Sequence, residues 1–217
     1  VILQRIDGQY ILNEIQRVLN LEKGILYTIR ELLLRPGANV RHFIAENRNR
    51  LVKPILFIIV TSLVYSIVNS VFQIEEGYVS YSGLEESATS VILRWIQGHY
   101  GYSNLIMGVF IAFWTKMMFR KYGYNFFEIL ILLCFVMGMG MLLLAVFALL
   151  EGLTDFGFLQ IGGIAFVVYA SWAIGQFFDK TKAVNYFKAF ASYLLGMITF
   201  MLSAVLLGTV IDMVVKT

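Results

Sequence analysis

The apolar residues of this chain are gathered into blocks of roughly twenty. A helix rises 1.5 Å per residue, so a block of that length matches the hydrocarbon thickness of a bilayer. Composition agrees: 59% of the 217 residues are apolar and 14% are charged, against about a quarter charged in an ordinary soluble domain. Such a chain has too little polar surface to keep itself in water. The expected fold is therefore an all-α membrane protein, a bundle of about five transmembrane helices preceded by amphipathic cytoplasmic or interfacial helices.

Two regions follow from this pattern, a basic amphipathic segment over 1–53 and a helical bundle over 54–217. In the first, Ile11, Ile15, Val18 and Leu19 recur at helical spacing with Gln16, Arg17 and Asn20 between them. A second short helix covers 25–34 and stops at Arg35-Pro36-Gly37, because proline disfavours helical geometry in the residue before it. A third runs over 38–50, with Val40, Phe43 and Ile44 on one side and Arg41, Arg48 and Arg50 largely on the other. With Lys53, those cations suit contact with anionic headgroups or a partner. No secretory signal opens the chain, and the start at Val1 leads us to expect a further segment upstream.

Pro54 fits the first turn of the first span. The spans are expected over about 55–72, 101–119, 127–150, 156–178 and 187–213. The second is the least clean and carries Lys116 near one end, close enough to snorkel. Lys and Arg give the orientation, since cytoplasmic loops hold the excess. Nine precede the first span, three (Lys116, Arg120, Lys121) join the second to the third, and three (Lys180, Lys182, Lys188) join the fourth to the fifth. Only Arg94 and Lys216 fall on the other side, with Glu75, Glu76, Glu85, Glu86, Glu151 and Asp155. The amino terminus is thus expected in the cytoplasm, the carboxyl terminus in the periplasm, and the protein in the inner membrane. In the long outer connection, Ala88, Val91, Ile92 and Trp95 predict a short helix lying in the interface, anchored by Trp95.

Polar residues inside spans bear most directly on function, because lipid offers them no partner. Ser62, Ser66, Asn69 and Gln73 follow at steps of four, three and four and so share one face of the first span. Interhelical hydrogen bonding is the expected role; lining a polar pocket or pore is the alternative. Small residues at close-packing spacing occur as Gly108 with Ala112, Ser171 with Gly175, Ser192 with Gly196, and Ala204 with Gly208. Packing within the chain is expected of them, with a dimer seam as the alternative. The run Met137-Gly138-Met139-Gly140-Met141 reads as a packing accommodation rather than a hinge.

No catalytic constellation is apparent. Asp212 and Glu128 sit near span ends, and His42 and His99 fall on opposite expected sides, where they cannot share a metal. Cys134 lies alone in an apolar run and cannot form a disulfide within the chain. No metal, cofactor or nucleic acid is expected; membrane lipids and a protein partner or second copy are.

The stretch Glu22-Lys23-Gly24-Ile25-Leu26-Tyr27-Thr28-Ile29-Arg30-Glu31-Leu32-Leu33, then Arg35-Pro36-Gly37, Asn47-Arg48-Asn49-Arg50 and Lys53-Pro54, resembles an uncharacterised family of multi-pass bacterial membrane proteins, common in Bacteroidota, known as domain of unknown function family 3667. Longer members open with a zinc ribbon of two Cys-x-x-Cys knuckles, absent from this sequence. The topology is also similar to that of Yip1-like membrane proteins, which act as adaptors. Both resemblances speak against catalysis, and the many small packing residues without a chemical cluster lead us to expect a non-enzymatic scaffold or accessory subunit of a membrane complex. The alternative is a passive channel or a small-molecule or lipid facilitator lined by the Ser62 face.

Overall fold

The computed structural model describes residues 24–72, 87–154 and 156–215. The helix expected around Ile11 and Leu19, and Gln73 of the polar face, lie outside them. All regular elements among the described residues are helical: α1 (Ile25–Leu34), α2 (Pro36–Ala45), α3 (Pro54–Phe72), α4 (Ala88–Gly98), α5 (Tyr100–Met118), a 3₁₀ turn at Arg120–Tyr122, α6 (Phe126–Thr154), α7 (Phe158–Asp179) and α8 (Ala183–Val215). Four of them, α3, α6, α7 and α8, are long and apolar enough to cross a membrane. Helix α5 has the length, 19 residues, but Asn104, Lys116 and several aromatic and small residues dilute its apolar character.

Helix α6 is the centre of the bundle. Phe57 sits over Gly138 and Phe72 over Gly152, so α3 runs beside α6 in the same direction. Asn104 meets Met141 and Gly108 meets Met137, so α5 runs the opposite way. Gly162 takes Phe147 and Gly140 takes Phe166, which reverses α7; Gly175 against Tyr186 and Phe166 against Tyr193 reverse α8 again. Helices α5 and α8 are antiparallel from Met118 and Ser192 to Phe110 and Phe200.

The methionine–glycine run lies in an unbroken part of α6. Two residues apart on a helix means about 200° of rotation, so Gly138 and Gly140 open on opposite sides. One socket receives Phe57 and the other Phe166, while Met137, Met139 and Met141 are each 1% exposed. A Cβ at Gly140 would stand 2.0 Å from Phe166 Cε2. Gly140→Ala is therefore expected to destabilise by about 1–3 kcal/mol through overpacking. Gly163→Ala, where nothing lies within 4 Å, should be neutral or gain up to about 1 kcal/mol from helix propensity. Parallel thermal unfolding of the two variants in one detergent checks the contrast.

Helix ends are closed by residues that the spacing placed only near span termini. Asn125 and Glu128 form a reciprocal capping box at the start of α6, each side chain accepting the other's backbone N–H, at 2.7 and 2.9 Å. Glu151, 8% exposed, accepts Leu159 N–H at 2.6 Å and closes the start of α7. Asp212 accepts Ala88 N–H at 2.6 Å at the start of α4. Each carboxylate meets orphan donors and the positive end of a helix dipole.

Helices α1 and α2 form a cap docked on the bundle. Thr28, Leu32, Asn39, Val40 and Phe43 are buried. Helix α2 differs from the expected 38–50: it starts at Pro36 and stops at Ala45. There Glu46 and Asn47 N–H both turn back to His42 O, and Asn47 Oδ1 accepts Asn49 N–H, a local bond that competes with helix continuation.

Candidate functional site

The short helix expected around Ala88 to Trp95 is α4, and the second expected span, 101–119, is covered by α5 without a break. Helices α4 and α5 meet at His99, whose φ of −132° and ψ of 51° belong to neither helix. A break frees carbonyls that α-helical donors would otherwise have taken, and in an apolar setting those carbonyls need partners. Two side chains at the break supply them. His99 Nδ1 donates to Trp95 O at 3.0 Å, and Ser103 Oγ donates to Ile96 O at 3.1 Å. Because a carbonyl only accepts, Nδ1 is the donor in this contact and carries a proton. The ring is stacked on Trp95, with centroids 4.8 Å apart at 15°.

Beside the break is a cleft of about 370 Å³ between α3 and α5. Ser62, Ser66 and His99 supply its polar lining, and Ile58, Leu63 and Leu105 its apolar walls. Ser62 is 5% exposed, and its Oγ has no hydrogen-bond partner. A buried hydroxyl without a partner costs roughly 1–3 kcal/mol, which a bound polar group or a water would recover. At 1.5 Å per residue, Ser62 stands roughly 12 Å and Ser66 roughly 18 Å along α3 from Pro54. The cleft is thus halfway along a helix long enough to cross the bilayer. Ile59 and Leu63 on its rim are both more than half exposed, so it opens sideways from the bundle.

The expected polar face of the first span is divided. Ser62 and Ser66 line the cleft, whereas Asn69 lies a turn beyond it. The spacing did not single out His99 as part of this site; the flanking Gly98 and Gly101 were the signal in the sequence that a helix would break there.

The small residues face neighbours in the same chain. A Cβ at Gly196 would meet the Ile111 backbone at 2.6 Å, and one at Gly208 the Thr89 backbone at 2.5 Å. Gly108 packs on Met137 and Gly175 on Tyr186. Ala112 and Ser192 are fully buried, and Ser171 and Ala204 nearly so. Through Gly208, α4 is seated on α8.

The four cations expected to share a headgroup-facing surface do not share one. Arg48 and Lys53 are exposed. Arg41 turns inward and donates through one guanidinium nitrogen to Gln176 O at 2.5 Å and Phe177 O at 2.6 Å, closing the carboxyl end of α7. Arg50 pairs with Glu31 at 2.9 Å, and that hydrogen bond holds the guanidinium above its ordinary pKa. Lys116 donates to Tyr124 O, in the connection that follows α5. Around Arg41, Gly37 lies against the backbone of Gln176 and Phe177, Tyr169 Oη donates to Leu32 O at 3.1 Å, and Val52 N–H reaches Thr28 Oγ1 at 3.1 Å.

A cap locked to a bundle of long apolar helices defines a multi-pass helical membrane protein. A family model described as a protein of unknown function (DUF3667) matches residues 22–66, of which 24–66 hold the cap and most of α3. No curated protein and no solved structure matches the chain.

Proposed function

We propose that this chain is a non-enzymatic inner-membrane protein of five spans that lets an amphipathic molecule, such as a lipid, enter the α3–α5 cleft from the side. The reading makes the broken α4–α5 pair the second span. It places the cap in the cytoplasm with the connections at 119–125 and 180–182, whose Lys and Arg mark the inner side. One observation carries it: the break between α4 and α5 at His99, opposite the middle of α3 and next to the partnerless hydroxyl of Ser62. Interrupted helices with polar groups at membrane depth are tolerated where they line a cavity. The apolar walls suit a chain, and Ser62, Ser66 and His99 suit a headgroup.

The test is exchange of a fluorescent phosphatidylcholine between leaflets of liposomes holding the full-length protein, read by quenching of the outer leaflet. Wild type is expected to exceed protein-free liposomes, and Ser62→Leu with Ser66→Leu to return the rate to that baseline while unfolding at the wild-type temperature. A wild-type rate equal to that of empty liposomes contradicts the proposal.

A scaffold or accessory subunit is the second reading, favoured by the cap itself. Tied down at Gly37, Arg41, Thr28 and Leu32, it presents Arg30, Arg35, Arg48 and Lys53 outward on a fixed platform. Crosslinking from Arg48 in intact cells should then capture a distinct protein, and recovery of uncrosslinked monomer alone counts against it.

A further inference from the structure

A second concavity, of about 920 Å³, lies at the other end of α5, between its carboxyl end and the start of α8. Its rim holds Arg120 and Lys121 from the 3₁₀ turn, Lys182 from the connection before α8, and Lys188 from the start of α8 itself. One carboxylate offsets them: Asp179 pairs with Lys182 at 3.0 Å. Among the described residues no acid forms an ion pair with the remaining three cations, and like charges lining one groove repel unless an anion joins them. The back of the groove is built rather than loose. Asn185, 3% exposed, donates to Tyr122 Oη at 2.8 Å and to Asp179 O at 3.1 Å, fixing the two connections to each other. With Tyr122 Oη accepting from Asn185, its own proton is free to be donated into the groove.

The floor is apolar, with Met117, Met118 and Val184. One turn from Met117 along α5, Phe113 is 58% exposed, and three residues on from Val184 along α8, Phe187 is 74% exposed, so apolar surface flanks the groove on both helices. A cationic rim above an apolar track at the end of two long helices matches a phosphate attached to acyl chains, with phosphate at the rim and chains along the track. A free phosphate ester would use the rim but not the track.

From this arrangement we infer that the groove between α5 and α8 is a binding site for the phosphate of an anionic phospholipid, held by Arg120, Lys121, Lys188 and Tyr122. The site is separate from the α3–α5 cleft and stands whether or not that cleft passes a lipid. Its occupancy is a matter of binding, which flux across the bilayer does not report.

The test uses the full chain purified in mild detergent, with phosphatidylglycerol titrated in and the bound lipid counted by native mass spectrometry. Wild type is expected to retain one lipid that a variant carrying Arg120→Gln, Lys121→Gln and Lys188→Gln binds at least about tenfold more weakly, since each cation near a headgroup strengthens binding several-fold. A control carrying Arg30→Gln, Arg48→Gln and Lys53→Gln removes the same charge from the cap and should bind as wild type does. Both variants change side chains at the surface, and their unfolding temperatures without lipid verify that they fold. Equal affinity in the groove variant and wild type overturns the proposal, as does an equal loss in the control. Glycerol 3-phosphate should not displace the lipid at equal concentration; if it does, the site belongs to a soluble phosphate ester and the lipid assignment falls.

Discussion

Replacing Gly37 by alanine is expected to lower the unfolding temperature of the full-length protein more than any other single-methyl substitution in the cap. A Cβ there would stand 2.4 Å from both Gln176 C and Phe177 N. These are backbone atoms inside α7, so no rotamer change relieves the clash, unlike the ring that faces Gly140. Alanine favours the helical state over glycine by at most about 1 kcal/mol, whereas overpacking against a fixed surface costs about 1–3 kcal/mol or more. The clash wins, and α2 must lift off α7. Lifting α2 also draws Arg41 away from its two carbonyls, so the cap should become cleavable by trypsin at Arg48 and Arg50 under conditions where wild type resists. An alanine variant that unfolds and digests like wild type contradicts the close approach.

Arg41→Met comes second. Methionine keeps much of the length and the apolar stem but removes a guanidinium that donates to Gln176 O and Phe177 O. Hydrogen bonds from a charged donor contribute about 1.5–3 kcal/mol each, and this cation also sits at the negative end of the α7 dipole. Because both bonds come from one nitrogen, a loss of about 3 kcal/mol is expected rather than twice that. Arg41→Lys should recover only part, since an ammonium on a shorter, strongly hydrated stem does not reproduce the guanidinium's reach or its planar array of donors. Burial raises the pKa of the neighbouring Tyr124 hydroxyl, and the Arg41 charge partly offsets this. Tyr124 should therefore titrate at still higher pH in Arg41→Met, which absorbance of tyrosinate can follow. Equal stability of the methionine and wild-type proteins counts against the cap being fastened here.

The long apolar helices were legible because lipid-sized blocks depend on nothing beyond local composition, and Pro54 marked the start of α3 as its chemistry requires. Asn125-Phe126-Phe127-Glu128 carried a capping box in plain sight, since its two partners are three residues apart. Arg41 was not legible. Face arithmetic grouped it with Arg48 and Arg50, but its acceptors lie 135 and 136 residues away on α7, and helix α2 ends before Arg48. The same limit hid the site. Ser62 and Ser66 were visible as one face of a helix, whereas His99 joins them only because α5 folds back along α6 and brings the break beside the middle of α3. The two glycines of the methionine run could be seen to matter, but that Phe57 fills one and Phe166 the other is a property of the packed bundle.

The α3–α5 cleft has the meaning given to it only if α4 and α5 together carry the chain from one side of the membrane to the other. The direct measurement replaces Ser87 or Lys121 by cysteine, one position at a time, in a background made cysteine-free by Cys134→Ala, and labels each variant in intact cells with a membrane-impermeant maleimide. The account predicts that position 87 labels from outside and position 121 only after the membrane is opened. Labelling of both from the same side would mean that α5 does not cross, leaving four spans and no interrupted helix within the bilayer.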